Sequence, residues 1–161
     1  MGINQITTQV RAIFLDRDGV LNVPLIKEGK PYPPQTLEAF EIYPEAVEAC
    51  HLLKKQGFLL IVVTNQPDVE RGTQFKPVIE AMHSKMNQLL PLDHIEVCYD
   101  SGNTASDFRK PAPGMILKTA KLFNVDLSQS FMIGDRWRDI DCGYNANCKT
   151  IFINQEIIKK S

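Results

Sequence analysis

Cysteine, histidine and tryptophan are scarce in this chain of 161 residues: four, three and one. The cysteines (Cys50, Cys98, Cys142, Cys148) are scattered, with no Cys-x-x-Cys pair, and read as small buried apolar side chains rather than a disulfide framework. Long apolar runs are missing too, so no stretch approaches the roughly 20 residues of a membrane-spanning helix. The N-terminus shows neither a basic segment followed by an apolar one, nor the Ser or Thr that myristoylation wants at Ile6. A cytoplasmic protein with no membrane partner is expected. Neither sign of charge dominates: 18 Lys and Arg face 19 Asp and Glu, a net charge of −1. Without a basic cluster, a nucleic-acid backbone is not an expected partner, whereas a single phosphate group fits. Repeats and low-complexity tracts are absent.

What is present is ordinary for a water-soluble fold. Hydrophobic residues make up 43% and charged residues 23%. The length suffices for a core without staples, and one domain over residues 1–161, acting as a monomer, is expected.

Strand and helix patterns alternate. The run from Val10 to Leu15 reads as a strand. The stretch from Asn22 to Phe40, with Pro24, Pro31, Pro33 and Pro34, is too rich in proline for regular structure, and we expect it to line the mouth of a site. A helix starts near Pro44, carries Ala46, Ala49, Cys50 and Leu53 at helical spacing, and stops at Gly57. Phe58 to Val63 is continuously apolar, the mark of a strand covered on both faces. Then follow a helix from Thr73 to about Leu90, a strand from His94 to Tyr99, a helix from Gly114 to Phe123, a strand from Ser130 to Ile133, a helix from Arg136 to about Ala146, and a strand from Lys149 to Ile153. Strands joined by single helices require right-handed crossovers. The expected fold is α/β: a doubly wound, mainly parallel sheet with helices on both faces.

The first strand ends on Asp16-Arg17-Asp18-Gly19, two carboxylates followed by a turn-permitting glycine. Ligands of open α/β sheets bind just beyond such strand ends. Three more polar groups fall at or beyond successive strand ends: Thr64-Asn65-Gln66, Arg109-Lys110-Pro111, and Gly134-Asp135 with Asp139. Each alone has a structural reading as a cap, turn or solvated charge. Their shared placement points to one site.

Gathered together, Asp16, Asp18, Asp135 and Asp139 must take up protons or hold a cation. Two unit charges about 5 Å apart repel by roughly 3 kcal/mol at an effective dielectric of about 20. Hard oxygen donors suit Mg²⁺, and the thiolate and imidazole set preferred by zinc is lacking. Thr64 supplies a hydroxyl donor and Lys110 a compact positive charge. Carboxylates with a cation on one side and fixed donors on the other describe phosphoryl transfer, with one aspartate as nucleophile and its neighbour two residues on as acid and base.

As an ordered set, Asp-x-Asp-Gly, Thr-Asn, Lys-Pro and Gly-Asp-x-x-x-Asp resemble the haloacid dehalogenase (HAD) superfamily of phosphatases. The resemblance spans Asp16 to Asp139 and implies Asp16 as nucleophile and Asp18 as general acid and base. It further implies Mg²⁺ on the side chains of Asp16 and Asp135 and the backbone carbonyl of Asp18. Thr64, Asn65, Lys110 and Arg109 are then expected at the phosphate, with Asp139 supporting the metal site. Finer wording, Leu15 to Asn22, Val63 to Gln66 with Arg71-Gly72, and Arg109 to Met115, resembles the branch of heptose-bisphosphate and histidinol phosphatases. Only some forty residues separate Thr64 from Lys110, so a nearly capless protein is expected. That branch usually carries a zinc loop, and here Cys98 keeps its first ligand position while Asp100, Ser106 and Phe108 occupy the others. No structural zinc is therefore expected.

The implied function is Mg²⁺-dependent hydrolysis of a small phosphorylated metabolite through an aspartyl-phosphate, most directly a sugar phosphate such as D-glycero-D-manno-heptose 1,7-bisphosphate. Histidinol phosphate and a nucleic-acid 3′-phosphate are the alternatives within catalysis. A phosphate-binding module without turnover is the alternative of another class. Arg71 and Arg109 suit a second phosphate or a sugar hydroxyl, and equally suit solvated charges. Trp137, beside Asp135, suits the rim of the site, and packing over its neighbouring helix is the favoured expectation. His51, His83 and His94 have no ligand partner at a useful spacing and receive no catalytic role.

Overall fold

The computed structural model describes residues 8–154. Its centre is a five-stranded parallel sheet in the order β5-β4-β1-β6-β7: β1 (Ala12–Leu15), β4 (Leu59–Asn65), β5 (His94–Cys98), β6 (Phe131–Gly134) and β7 (Lys149–Phe152). The chain builds outward from β1 through β4 to β5, then crosses back to β6 and β7. The winding therefore reverses on either side of β1, the place where ligands bind in such sheets.

The central strands bury both faces, which is why they read as continuous apolar runs. Alternate residues go to opposite sides. Phe14, Ile61, Val63 and Met132 pack under α3 (Gly114–Phe123) and α4 (Trp137–Asn145). Ile13, Leu15, Leu60 and Val62 pack under α1 (Pro44–Lys55) and α2 (Lys76–Leu89), against Cys50, Met82 and Met86. The two cores lock the strand register, because a slip of one residue would exchange the faces. Leu15 lies opposite Val62 on β4 and Ile133 on β6, so Asp16, Thr64 and Asp135 emerge along one edge of the sheet. Among the described residues no helix is long and apolar enough to cross a membrane.

Most elements fall where the sequence places them. The proline-rich stretch corrects one expectation: it contains an antiparallel hairpin, β2 (Leu25–Lys27) with β3 (Lys30–Tyr32). A turn at Glu28 and Gly29, both at positive φ, joins them. Pro31 is tolerated because each strand of a two-stranded ribbon is an edge.

Candidate active site

Asp16 is the first residue beyond β1. Its Oδ1 accepts from the Lys110 ammonium at 2.8 Å, and Lys110 also donates to the Val63 carbonyl at 2.8 Å and to Asp139 Oδ1 at 2.7 Å. Lys110 is only 3% exposed, so its whole charge is delivered to these three acceptors. Burial alone would lower the pKa of the ammonium, but Asp16 and Asp139 more than offset that and hold it above the usual lysine range. Asp16 moves the other way. Burial, with the charges of Asp139 and Asp135, pushes its carboxyl up to about 7 against the pull of Lys110.

Asp139 has two jobs. One oxygen holds Lys110, and the other accepts from the Arg136 backbone N–H at 3.1 Å, closing the first turn of α4. The strand feeding that turn must come very near: a Cβ on Gly134 would lie 2.1 Å from the Asp139 Cβ. Gly19 meets a similar limit, with φ +84° and a hypothetical Cβ only 2.1 Å from Asp135 Oδ2. Only glycine lets the first strand's turn approach Asp135 so closely.

Asp18 is gripped by four donor groups. Arg17 reaches Oδ1 with Nη2 at 2.9 Å and Nε at 3.3 Å, and Oδ2 with Nη2 at 3.1 Å. Asn22 adds a bond of 3.0 Å and Gln66 one of 3.1 Å. Burial pushes the Asp18 carboxyl up, yet the Arg17 charge and these hydrogen bonds outweigh it and hold it below the ordinary range. The fully buried Arg17 is satisfied in turn by His83 Nε2 at 3.2 Å. Burial and then the Arg17 charge push the His83 pKa down to about 4, so the ring stays neutral and accepts from the guanidinium.

Thr64 is completely buried and its hydroxyl accepts from Gln66 Nε2 at 3.0 Å. The Asn65 side chain clasps the Lys110 backbone, donating to its carbonyl at 3.2 Å and accepting from its N–H at 3.1 Å. Asn65 thus fixes where the lysine enters the site, while still lining the cavity. Arg109 lines it too, anchored through Nη1 on the Asp100 carbonyl at 2.8 Å.

These groups open onto a cavity of about 410 Å³, with Asp16, Asp18 and Lys110 at its base and Pro31, Tyr32 and Pro33 of the hairpin on one wall. Arg71, Arg136 and Arg138 complete its cationic side. Arg17, Gln66 and His83 have structural roles that the sequence did not announce. For Arg17 a signal existed: an arginine between two aspartates at the end of a buried strand must find a partner. Trp137 corrects another expectation. It is 61% exposed, with the Arg138 guanidinium 5.6 Å from its ring. His94 also differs, since its Nε2 meets Glu96 at 2.8 Å across one face of β5. It lies outside the cavity lining.

The carboxylates of Asp16, Asp135 and Asp139 offer oxygens that all lie within 4.8 Å of one another. Asp135 Oδ1 is buried and has no hydrogen-bond partner. Burial, then the Asp139 charge, raises the Asp135 pKa. An orphaned buried carboxylate oxygen beside others, with no sulfur or imidazole donor, fits a hard divalent cation.

An α/β sheet with this acidic edge and buried lysine defines a phosphoryl-transfer hydrolase, and residues 107–161 match the HAD-hydrolase-like family. The chain is 36% identical over 153 residues to a D-glycero-β-D-manno-heptose-1,7-bisphosphate 7-phosphatase of Escherichia coli strain K12, covering 88% of this chain and 77% of that one. It is 37% identical over 150 residues to the Pasteurella multocida protein of that name, with 86% and 78% covered. The solved D,D-heptose 1,7-bisphosphate phosphatase of B. bronchiseptica, complexed with magnesium and phosphate, superposes with a TM-score of 0.76 at 28% identity, covering 87% of this chain and 78% of that one. The chain belongs to the HAD superfamily, to the same phosphatase family as these relatives.

Proposed function

We propose that this phosphatase hydrolyses the phosphate ester of a sugar phosphate, D-glycero-D-manno-heptose 1,7-bisphosphate being the substrate its relatives favour, as part of carbohydrate metabolism in the cytoplasm. Asp16 is the nucleophile: it lines the cavity, and Lys110 holds its Oδ1. Its attack on phosphorus breaks the ester bond and leaves an aspartyl-phosphate, which water then opens. Asp18 stands beside it to protonate the leaving oxygen and later to take a proton from water. Arg17, Asn22 and Gln66 favour its ionised form, and a phosphate dianion arriving nearby raises its proton affinity. Lys110 presents its positive charge to the transferred phosphate, the guanidinium of Arg109 meets a second phosphate or a sugar hydroxyl, and Asn65 acts through the Lys110 backbone. Thr64, fully buried on Gln66, backs the site without lining the cavity.

Mg²⁺ would be held by the side chains of Asp16 and Asp135 and the backbone carbonyl of Asp18. When bound it neutralises the repulsion between carboxylate and phosphate. Asp139 supports it by holding Lys110 and the α4 start. We propose further that the loop from Cys98 to Lys110 needs no zinc. The single observation that carries the reading is the pairing of a buried Lys110 on Asp16 with an unpartnered buried oxygen of Asp135.

The test is phosphate release from both anomers of the heptose bisphosphate, histidinol phosphate, a 3′-phosphorylated oligonucleotide and 4-nitrophenyl phosphate, with Mg²⁺ and with chelator. Strong Mg²⁺-dependent preference for one heptose anomer is expected. No turnover of any ester would replace the catalytic reading with a phosphate-binding module.

A further inference from the structure

The loop between β5 and Lys110 carries no regular structure, yet it is tightly knotted. Ser106 is its centre. The Ser106 hydroxyl donates to Asp100 Oδ2, and its Oγ accepts from the backbone N–H groups of Phe108 and Arg109, each at 3.2 Å. A hydroxyl offers one donor and two acceptor sites, and here all are used. Beyond the knot, the Gly114 N–H donates to the Asp107 carbonyl at 2.8 Å, tying the loop to the start of α3.

The same loop carries two consecutive carbonyls that each anchor one arginine of the cavity wall. Arg109 Nη1 donates to Asp100 O at 2.8 Å, and Arg71 Nη2 donates to Ser101 O at 3.0 Å. The Ser101 N–H is taken by the Glu70 carboxylate, which staples this loop to the one that follows β4. Each anchor occupies one nitrogen of a guanidinium that has five N–H donors. Arg109 also feels its like-charged neighbours: after burial, the charges of Arg71 and Arg138 lower its pKa. Guanidinium groups gathered against mutual repulsion, on a wall beside Asp16 and Lys110, suit a second anionic or hydroxylated part of the substrate.

We propose that Ser106 is a positioning residue for substrate recognition: its hydroxyl sets the loop over residues 99–109, and through it the place of Arg109 and Arg71 against the part of the substrate that is not transferred. This rests on the phosphatase reading of the site. Ser106 touches no reacting atom, so its effect is on binding rather than on the chemical step. Lys110 is held by Asn65 through its backbone and by Asp16, Asp139 and the Val63 carbonyl through its ammonium, contacts in which Ser106 takes no part.

The test compares Ser106→Ala and Ser106→Thr with the unaltered protein. The readouts are kcat and KM for the heptose bisphosphate and for 4-nitrophenyl phosphate, calorimetric binding of the bisphosphate, and hydrogen exchange at the amides of residues 108 and 109. In Ser106→Ala these amides lose their acceptor and should exchange about tenfold faster. KM and Kd for the bisphosphate should rise about five- to tenfold with kcat within twofold, while KM for the aryl ester stays put. Ser106→Thr, which keeps the hydroxyl, should restore both. Faster exchange with unchanged bisphosphate KM and Kd would make Ser106 merely structural and overturn the proposal, as would unchanged exchange. An unaltered protein that turns over no ester would count against the phosphatase reading instead, and the bisphosphate Kd of the variants would then still decide the role of Ser106.

Discussion

Replacing Lys110 by Met keeps most of the side-chain length and removes the charge. Three acceptors then lose their donor at once: Asp16 Oδ1, Asp139 Oδ1 and the Val63 carbonyl. Removing one partner of a buried charge pair costs about 3–5 kcal/mol, because the other charge stays buried without compensation. For a chain of this size 1 kcal/mol moves Tm by roughly 2–4 °C, so a fall of about 10 °C is expected at pH 8 without metal. The pH dependence has a definite sign. The Asp16 carboxyl already lies at about 7, well above its unfolded value, and loss of the ammonium raises it further. Between the unfolded and folded pKa values the folded state then binds more protons, so stability increases as pH falls. The deficit of the variant should therefore shrink between pH 8 and pH 5. Mg²⁺ at pH 8 should recover part of it by supplying positive charge to the same carboxylates, and so should adding Asp139→Asn. Urea unfolding followed by circular dichroism, at both pH values and with Mg²⁺ or chelator, measures all of this. A variant as stable as the unaltered protein at pH 8 without metal, or a deficit indifferent to pH and Mg²⁺, would refute the electrostatic account of the site.

Asp16→Asn should lower kcat by at least roughly 10³-fold with the fold intact, checked by phosphate release and thermal unfolding together. Gly19→Ala places a methyl 2.1 Å from Asp135 Oδ2 at φ +84°, so it should cost about 1–3 kcal/mol and raise the Mg²⁺ concentration for half-maximal activity about tenfold, read by metal titration. His83 has a folded pKa lowered to about 4, so its neutral form contributes fully above pH 6.5 and that contribution is lost as pH falls toward 4. Measured against His83→Gln, which keeps an acceptor for Arg17 but does not titrate, the unaltered protein should lose about 3 kcal/mol between pH 7 and pH 4. Denaturant titrations of both proteins at those pH values test this, and parallel curves would show that the ring is not held neutral.

The alternation of strands and helices, the parallel sheet and the four polar segments at or beyond strand ends were legible in the residues alone. Buried strands such as Leu60 to Val63 announce themselves as apolar runs, and Asp16 stands out because a carboxylate there has no stabilising role to play. Hydrophobic periodicity and local turn chemistry act over a few residues and need no partner. The β2–β3 hairpin escaped notice because proline is read as a breaker, although an edge strand does not need its N–H. Tertiary structure alone decided what each polar group does. Asn65 clasps a backbone 45 positions away, Arg17 takes both Asp18 and His83, and Ser106 knots a loop that looks featureless in sequence. A hydrogen bond is directional and short-ranged, so a donor's partner is set by where the packed elements bring the chain, whereas burial of an apolar strand follows from its own composition.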